Sequence, residues 1–177
     1  MDKQNILLIS FGQFENDFLE DIATEVEKEY TYPVRIQNGH IDLSEYYDPM
    51  RRQYDGNGIL KEVDSINSGD VIKKVGLFRV DLCIPILTYI FGQAAFKGST
   101  GIASLYRLRN EQYGMKKDEA LLLHRFSKVV IHELGHTFGL IHCHHPICVM
   151  RSSTYVEDID QKSTEPCLNC QKIIGLD

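Results

Sequence analysis

Two histidines four residues apart, in His132-Glu133-Leu134-Gly135-His136, constrain this chain more than any other feature. On an α-helix that spacing puts both imidazoles on one face, projecting toward a common point. The surrounding run has helical period: Leu122, Phe126, Val130 and Leu134 recur every four residues, and Asp118 stands where an N-cap belongs. The helix is expected to run down to Gly139, where glycine tolerates the left-handed conformation that ends a helix and turns the chain back. His142, six residues after His136, then comes within reach of the other two imidazoles. Three imidazoles at one point suit a tetrahedral metal, zinc foremost, with the fourth position open to water. Glu133 lies beside the ligands without being one, placed to take a proton from that water as a general base.

The 38 residues after Gly139 carry four cysteines and no long periodic segment, so they can hardly build a core of their own and call for a staple. Cys143 and Cys148 are separated by four residues, Cys167 and Cys170 by two, and these spacings suit the two jaws of a four-thiolate zinc site. A closed shell of four sulfurs leaves no place for substrate water, so this second zinc is expected to be structural and to anchor His142 through the adjoining Cys143. Two disulfides, or a redox pair at Cys167 and Cys170, are the competing readings; no secretory signal and no thioredoxin-like context accompany them. Cys83 sits in an apolar run and reads as a buried thiol. His144 and His145 read as solvated loop residues, and His40 and His124, with no partner in sequence, are assigned no role. Met150 taken alone is a core methionine.

At 177 residues one domain is expected, with an α/β part over 1–139 that includes the helix and a zinc-stapled part over 140–177. Net charge is −6, which argues against a surface that tracks nucleic acid. The apolar run Ile6–Ile9 is far too short for a signal or a membrane span, so a cytoplasmic protein is expected. Asn5–Ser10 reads as a buried strand, Glu15–Glu29 as a helix, Pro33–Gln37 and Val75–Ile84 as strands, and Ile59–Ile66 as a weaker helix. Strand, helix, strand, helix, strand favours parallel neighbours. Tyr46–Pro49 reads as a loop. Leu87–Phe91 breaks at Gly92, and a further β-like run is read over Ile102–Leu108.

The series His-Glu-x-x-His-x-x-Gly-x-x-His followed by Met150 is the metzincin signature. With Cys143, Cys148-Val149-Met150 and Cys167-x-x-Cys170 the chain resembles an archaemetzincin. Arg52-Gln53-Tyr54, Asp81-Leu82-Cys83-Ile84-Pro85, Phe91-Gly92, Arg107-Leu108-Arg109 and Asp160-Gln161-Lys162 extend the resemblance over most of the chain. The resemblance implies an α/β (α+β) metzincin-like fold: a twisted mixed sheet, an antiparallel edge strand above the cleft, an active-site helix beneath, and a Met-turn whose Met150 forms an apolar base under the imidazoles. It implies a zinc metallopeptidase acting on peptides or proteins, with two zinc ions per chain, one catalytic and one structural. The substrate is expected to pair with an edge near Leu87–Phe91 or Ile102–Leu108. Arg52, Tyr54, Arg107 and Arg109 fit either a functional or a packing role. Ser152 occupies the position where some metzincins carry a tyrosine, so the resemblance supplies no oxyanion donor beyond zinc. The alternative is a proteolytically silent, zinc-stabilised peptide-binding module; retention of Glu133 favours the enzyme.

Overall fold

The computed structural model describes residues 4–176. In chain order the elements are β1 (Asn5–Phe11), α1 (Asn16–Tyr30), β2 (Val34–Gly39), β3 (Tyr47–Asp48), β4 (Gln53–Asp55), α2 (Gly56–Ser65), β5 (Val71–Phe78), β6 (Leu82–Ile84), β7 (Leu87–Ile90), β8 (Gly92–Ala94), β9 (Thr100–Ser104), α3 (Glu119–Thr137), α4 (Val156–Asp160) and α5 (Leu168–Ile173). Strands β2-β1-β5-β9-β8 form the main sheet, parallel except for β8, which runs antiparallel to β9 at one edge. Strands β3-β4-β6-β7 form a smaller mixed sheet.

The two-residue period of β1 divides the core. Ile6 and Leu8 face the layer of α1 and α3, while Leu7 and Ile9 face the layer of α2. Both sides of the strand are therefore apolar, as parallel sheets covered on two faces require. Helix α1 buries Leu19, Ile22, Ala23, Val26 and Tyr30, one face at helical spacing. The expected strand–helix–strand–helix–strand order is present as β1, α1, β2, α2 and β5.

Three readings change, two of apolar runs and one of a loop. The run Val75–Ile84 divides at Arg79 between β5 of the main sheet and β6 of the smaller one. Ile102–Leu108 is strand only to Ser104; Leu105 and Leu108 are buried from a 3-10 turn over Tyr106–Leu108, which burial alone does not separate from a strand. Tyr46–Pro49 is a loop with order in it, a 3-10 turn over Leu43–Tyr46 leading into β3.

Helix α3 departs from a simple amphipathic stripe. It packs against β8 and β9 above, α1 below and α4 at its side, so Arg125 to Gly135 are all buried. The segment after α3 adds Cys148, Val149, Met150, Val156, Ile159 and Cys170 to the same core. Two ties from α3 hold it there: Arg125 donates to both carboxylate oxygens of Asp160 at 2.7 Å, and Lys128 Nζ to Ile159 O at 2.9 Å; within the segment Cys143 N–H donates to Met150 O at 3.0 Å. No helix among the described residues is long and apolar enough to cross a membrane.

Candidate active site

Helix α3 begins where the sequence places it: the Asp118 carboxylate accepts from Leu121 N–H at 2.9 Å. It stops at Thr137, and Gly139 takes φ +100°, the left-handed turn that only glycine adopts without strain. The reversal returns the chain so that His142 meets His132 and His136, with ring centroids 4.6 to 5.3 Å apart. One ring nitrogen from each histidine lies within 4.8 Å of the others.

The hydrogen bonds fix the tautomers. His132 Nδ1 is 2.8 Å from Val149 O and His136 Nδ1 is 2.7 Å from Leu140 O. A carbonyl can only accept, so each Nδ1 carries the proton and each Nε2 presents a lone pair. Those two Nε2 atoms face each other at 3.0 Å. Two lone pairs at that distance repel unless an electron acceptor lies between them, so the donor set fits a metal ion. Burial pushes all three imidazoles below the ordinary histidine range, His132 furthest, which keeps them neutral and able to ligate.

The cysteines converge separately. Cys143 Sγ is 3.8 Å from Cys167 Sγ and Cys148 Sγ is 3.9 Å from Cys170 Sγ, with one ligand atom from each of the four within 4.8 Å of the rest. All five cysteines are free thiols. Tetrahedral sulfurs about 2.3 Å from a zinc stand about 3.8 Å from one another, so the quartet fits an ion far better than disulfides. Cys83 is a buried thiol apart from them, and His40, His124, His144 and His145 are exposed.

A cleft of about 900 Å³ opens over the histidines. Val129, His132, Glu133 and His136 of α3 form its floor; Leu87–Ala94 and Phe96 form one wall, and Ile141, His142, Ser152–Tyr155, Ile159 and Lys162 the other. Met150 is fully buried beside α3: a β-carbon on Gly135 would collide with its Sδ and stand 2.9 Å from its Cε. Glu133 is 7% exposed and enters no hydrogen bond or ion pair among the described residues. Burial pushes its carboxyl up to about 8, with the Lys162 ammonium opposing.

Of the two segments read from sequence, Ile102–Ser104 lies inside the main sheet, between β5 and β8, whereas Leu87–Ile90 is an antiparallel edge strand of the smaller sheet and lines the cleft. The antiparallel edge of the main sheet, Gly92–Ala94, was in neither segment. Gly92 reads as a break, yet it pairs with Ala103 in the strand, and the position is glycine because Glu133 and Ile102 O leave no room there for a side chain. Arg52, Tyr54, Arg107 and Arg109 do not line the cleft. Arg107 pairs with the buried Asp81 through two bonds of 2.8 and 2.6 Å, a packing role. Lys162 and Ser153 do line the cleft; Lys162 falls in Asp160-Gln161-Lys162, a segment of the resemblance that implies no role for it, and a lone serine in a polar stretch carries no signal.

The sequence model of peptidase family M54 matches residues 5–175. The chain belongs to peptidase family M54. It is 36% identical over 174 residues to the archaemetzincin of Thermococcus kodakarensis, covering 94% of this chain and 93% of that protein. The crystal structure of archaemetzincin from Methanopyrus kandleri superposes with a TM-score of 0.86 at 29% identity, covering 98% of this chain and 94% of the other. That of a zinc-dependent peptidase from Methanocorpusculum labreanum gives 0.85 at 28% identity, over 96% and 99%. As an M54 peptidase the chain is a zinc metallopeptidase, and the mixed α/β fold expected of it is the fold observed.

Proposed function

We propose that the chain hydrolyses peptide bonds in this cleft, with His132, His136 and His142 holding the catalytic zinc and Glu133 acting as general base. The observation that supports this best is the Glu133 carboxylate. Burying an ionisable group with no partner is costly, and here it stands on the cleft floor one residue from a metal-ligating histidine. A proteolytically silent binding module has no use for such a group and is not favoured.

Zinc at the three imidazoles would supply Lewis acidity, lowering the pKa of water toward neutrality and polarising a carbonyl oxygen. Glu133 takes the proton of the attacking water and passes it to the leaving nitrogen. The backbone of β8 pairs with the extended peptide and aligns its carbonyl over the floor. Val149 O and Leu140 O hold two imidazoles in the ligating tautomer, and Met150 packs under the helix turn that carries them.

Cys143, Cys148, Cys167 and Cys170 hold a second, structural zinc in this reading. Residues 140–177 are the part it staples to the α/β body of 1–139, within one domain. Cysteines arranged for a zinc ion rather than for disulfides fit a reducing compartment, and we place the protein in the cytoplasm. The test is mass spectrometry of products from a denatured peptide library, run with the zinc-loaded wild type and Glu133→Ala. Cleavage by the wild type that Glu133→Ala lacks supports the reading; cleavage at equal rates by both, with zinc confirmed, overturns it.

A further inference from the structure

The mechanism leaves one buried cation on the cleft lining unused. Lys162 is 5% exposed, and its Nζ makes one hydrogen bond, to Arg151 O at 2.8 Å. An ammonium has three donors. Among the described residues no carboxylate oxygen comes within the 4.0 Å of an ion pair with it. An unpaired buried cation is costly wherever it stands, and this one lies on the wall of the substrate cleft. Lys128 shows the contrast: it is as well buried and also bonded to a backbone carbonyl, but it does not reach the cleft.

Among the described residues Lys162 is the one lysine or arginine on the cleft lining. Ser153 stands on the same wall, and its Oγ is buried without a hydrogen-bond partner. Ile159 and Tyr155 on this wall and Val129 of the floor add apolar surface. Two unused donors, one of them cationic, against apolar walls form a site that recognises a carboxylate held on a hydrocarbon stem. The one carboxylate on the lining is Glu133, on the floor, which makes no ion pair with the lysine.

We propose that Lys162, with Ser153, is a specificity-determining residue that receives a carboxylate of the bound peptide, either an Asp or Glu side chain beside the scissile bond or the terminal carboxylate. This rests on the reading of the cleft as a peptide site.

The test uses the zinc-loaded enzyme and matched fluorescent peptides, with Glu or Gln at each position flanking the scissile bond and each with a free or amidated C-terminus. Binding is read by anisotropy and cleavage by kcat/KM. The wild type is expected to favour one carboxylate over its amide by about tenfold or more, the usual scale of a hydrogen bond to a charged group. The Glu/Gln pairs and the acid/amide pairs tell the two sources apart. Lys162→Gln, which keeps a donor and loses the charge, should bring the ratio near one; Lys162→Arg should retain most of it. Wild type without discrimination, or without binding to any carboxylate peptide, overturns the proposal whether or not a variant folds, and so does a ratio unchanged in Lys162→Gln at equal zinc content. Discrimination in binding without any cleavage would sink the hydrolytic reading and leave the specificity; cleavage without discrimination would do the reverse.

Discussion

Gly92 and Glu133 are packed backbone against carboxylate: a β-carbon on Gly92 would stand 2.8 Å from both Cγ and Oε1 of Glu133, and 2.7 Å from the carbonyl oxygen of Ile102. The carbonyl belongs to β9, inside the main sheet, and cannot give way. Gly92→Ala is therefore expected to shift β8 or turn Glu133 aside. A misplacement of about 1 Å in a reacting group costs about 10²-fold. Turnover should fall on that scale with zinc content unchanged, measured by steady-state kinetics beside metal analysis; wild-type turnover would show that Glu133 is not held by this contact.

Glu133→Ala should lower kcat by about 10²- to 10⁴-fold or more, since one carboxylate serves both proton transfers. Glu133 makes no hydrogen bond or ion pair among the described residues and is buried at a cost, so its removal should not lower stability and should leave both zinc ions bound. Peptide affinity, measured separately from turnover, should also hold. A mutant that loses binding along with rate would point to a collapsed site.

Two zinc ions per chain are expected, and a chelator should strip the three-histidine site first, because His142 is exposed to the cleft while Cys148 and Cys170 are buried. Cys167→Ser opens the sulfur quartet and removes metal-linked folding energy, which reaches roughly 10 kcal/mol in isolated fingers. Less is expected where a core already exists. A loss of even about 3 kcal/mol lowers Tm by roughly 10 °C in a chain of this size. Calorimetry with zinc stoichiometry checks both, and an unchanged Tm at two zinc ions would refute the assignment.

Arg125 has a buried guanidinium that bonds Asp160, Leu108 O at 2.8 Å and Asn110 Oδ1 at 2.9 Å. Arg125→Ala removes all of these at once and should cost about 2–4 kcal/mol in chemical denaturation. The Asp160 side chain is 34% exposed, so water can replace its partner, and Asp160→Asn should cost about 1 kcal/mol or less. Equal losses would mean that the ion pair, not the two ties to the loop before α3, carries the contribution.

The ligands were legible because their arrangement is local. His132, His136 and His142 span one helix end and one glycine reversal, and both follow from spacing and the freedom of φ at Gly139. The cysteines announce themselves in the same way. Strand β8 was not legible, since a glycine at its first residue gives the same signal as a strand end, and only its pairing with β9 and its contact with Glu133 decide between them. Tyr106–Leu108 misled for a related reason: Leu105 and Leu108 are buried at a spacing that suits a turn as well as a strand. Lys162 lies in Asp160-Gln161-Lys162, which the resemblance includes, but nothing in so polar a stretch signals that the lysine is buried. Its burial arises from tertiary packing, through the reach of its side chain to Arg151 O.

The brevity of β8 has a consequence of its own. A sheet edge open enough to accept a substrate strand is open to another copy of the same chain, and long flat edges invite aggregation. At three residues, β8 offers too short a row of backbone groups to template such stacking. The same shortness limits how much of a peptide it can grip, so discrimination between substrates must fall on the side chains that line the cleft.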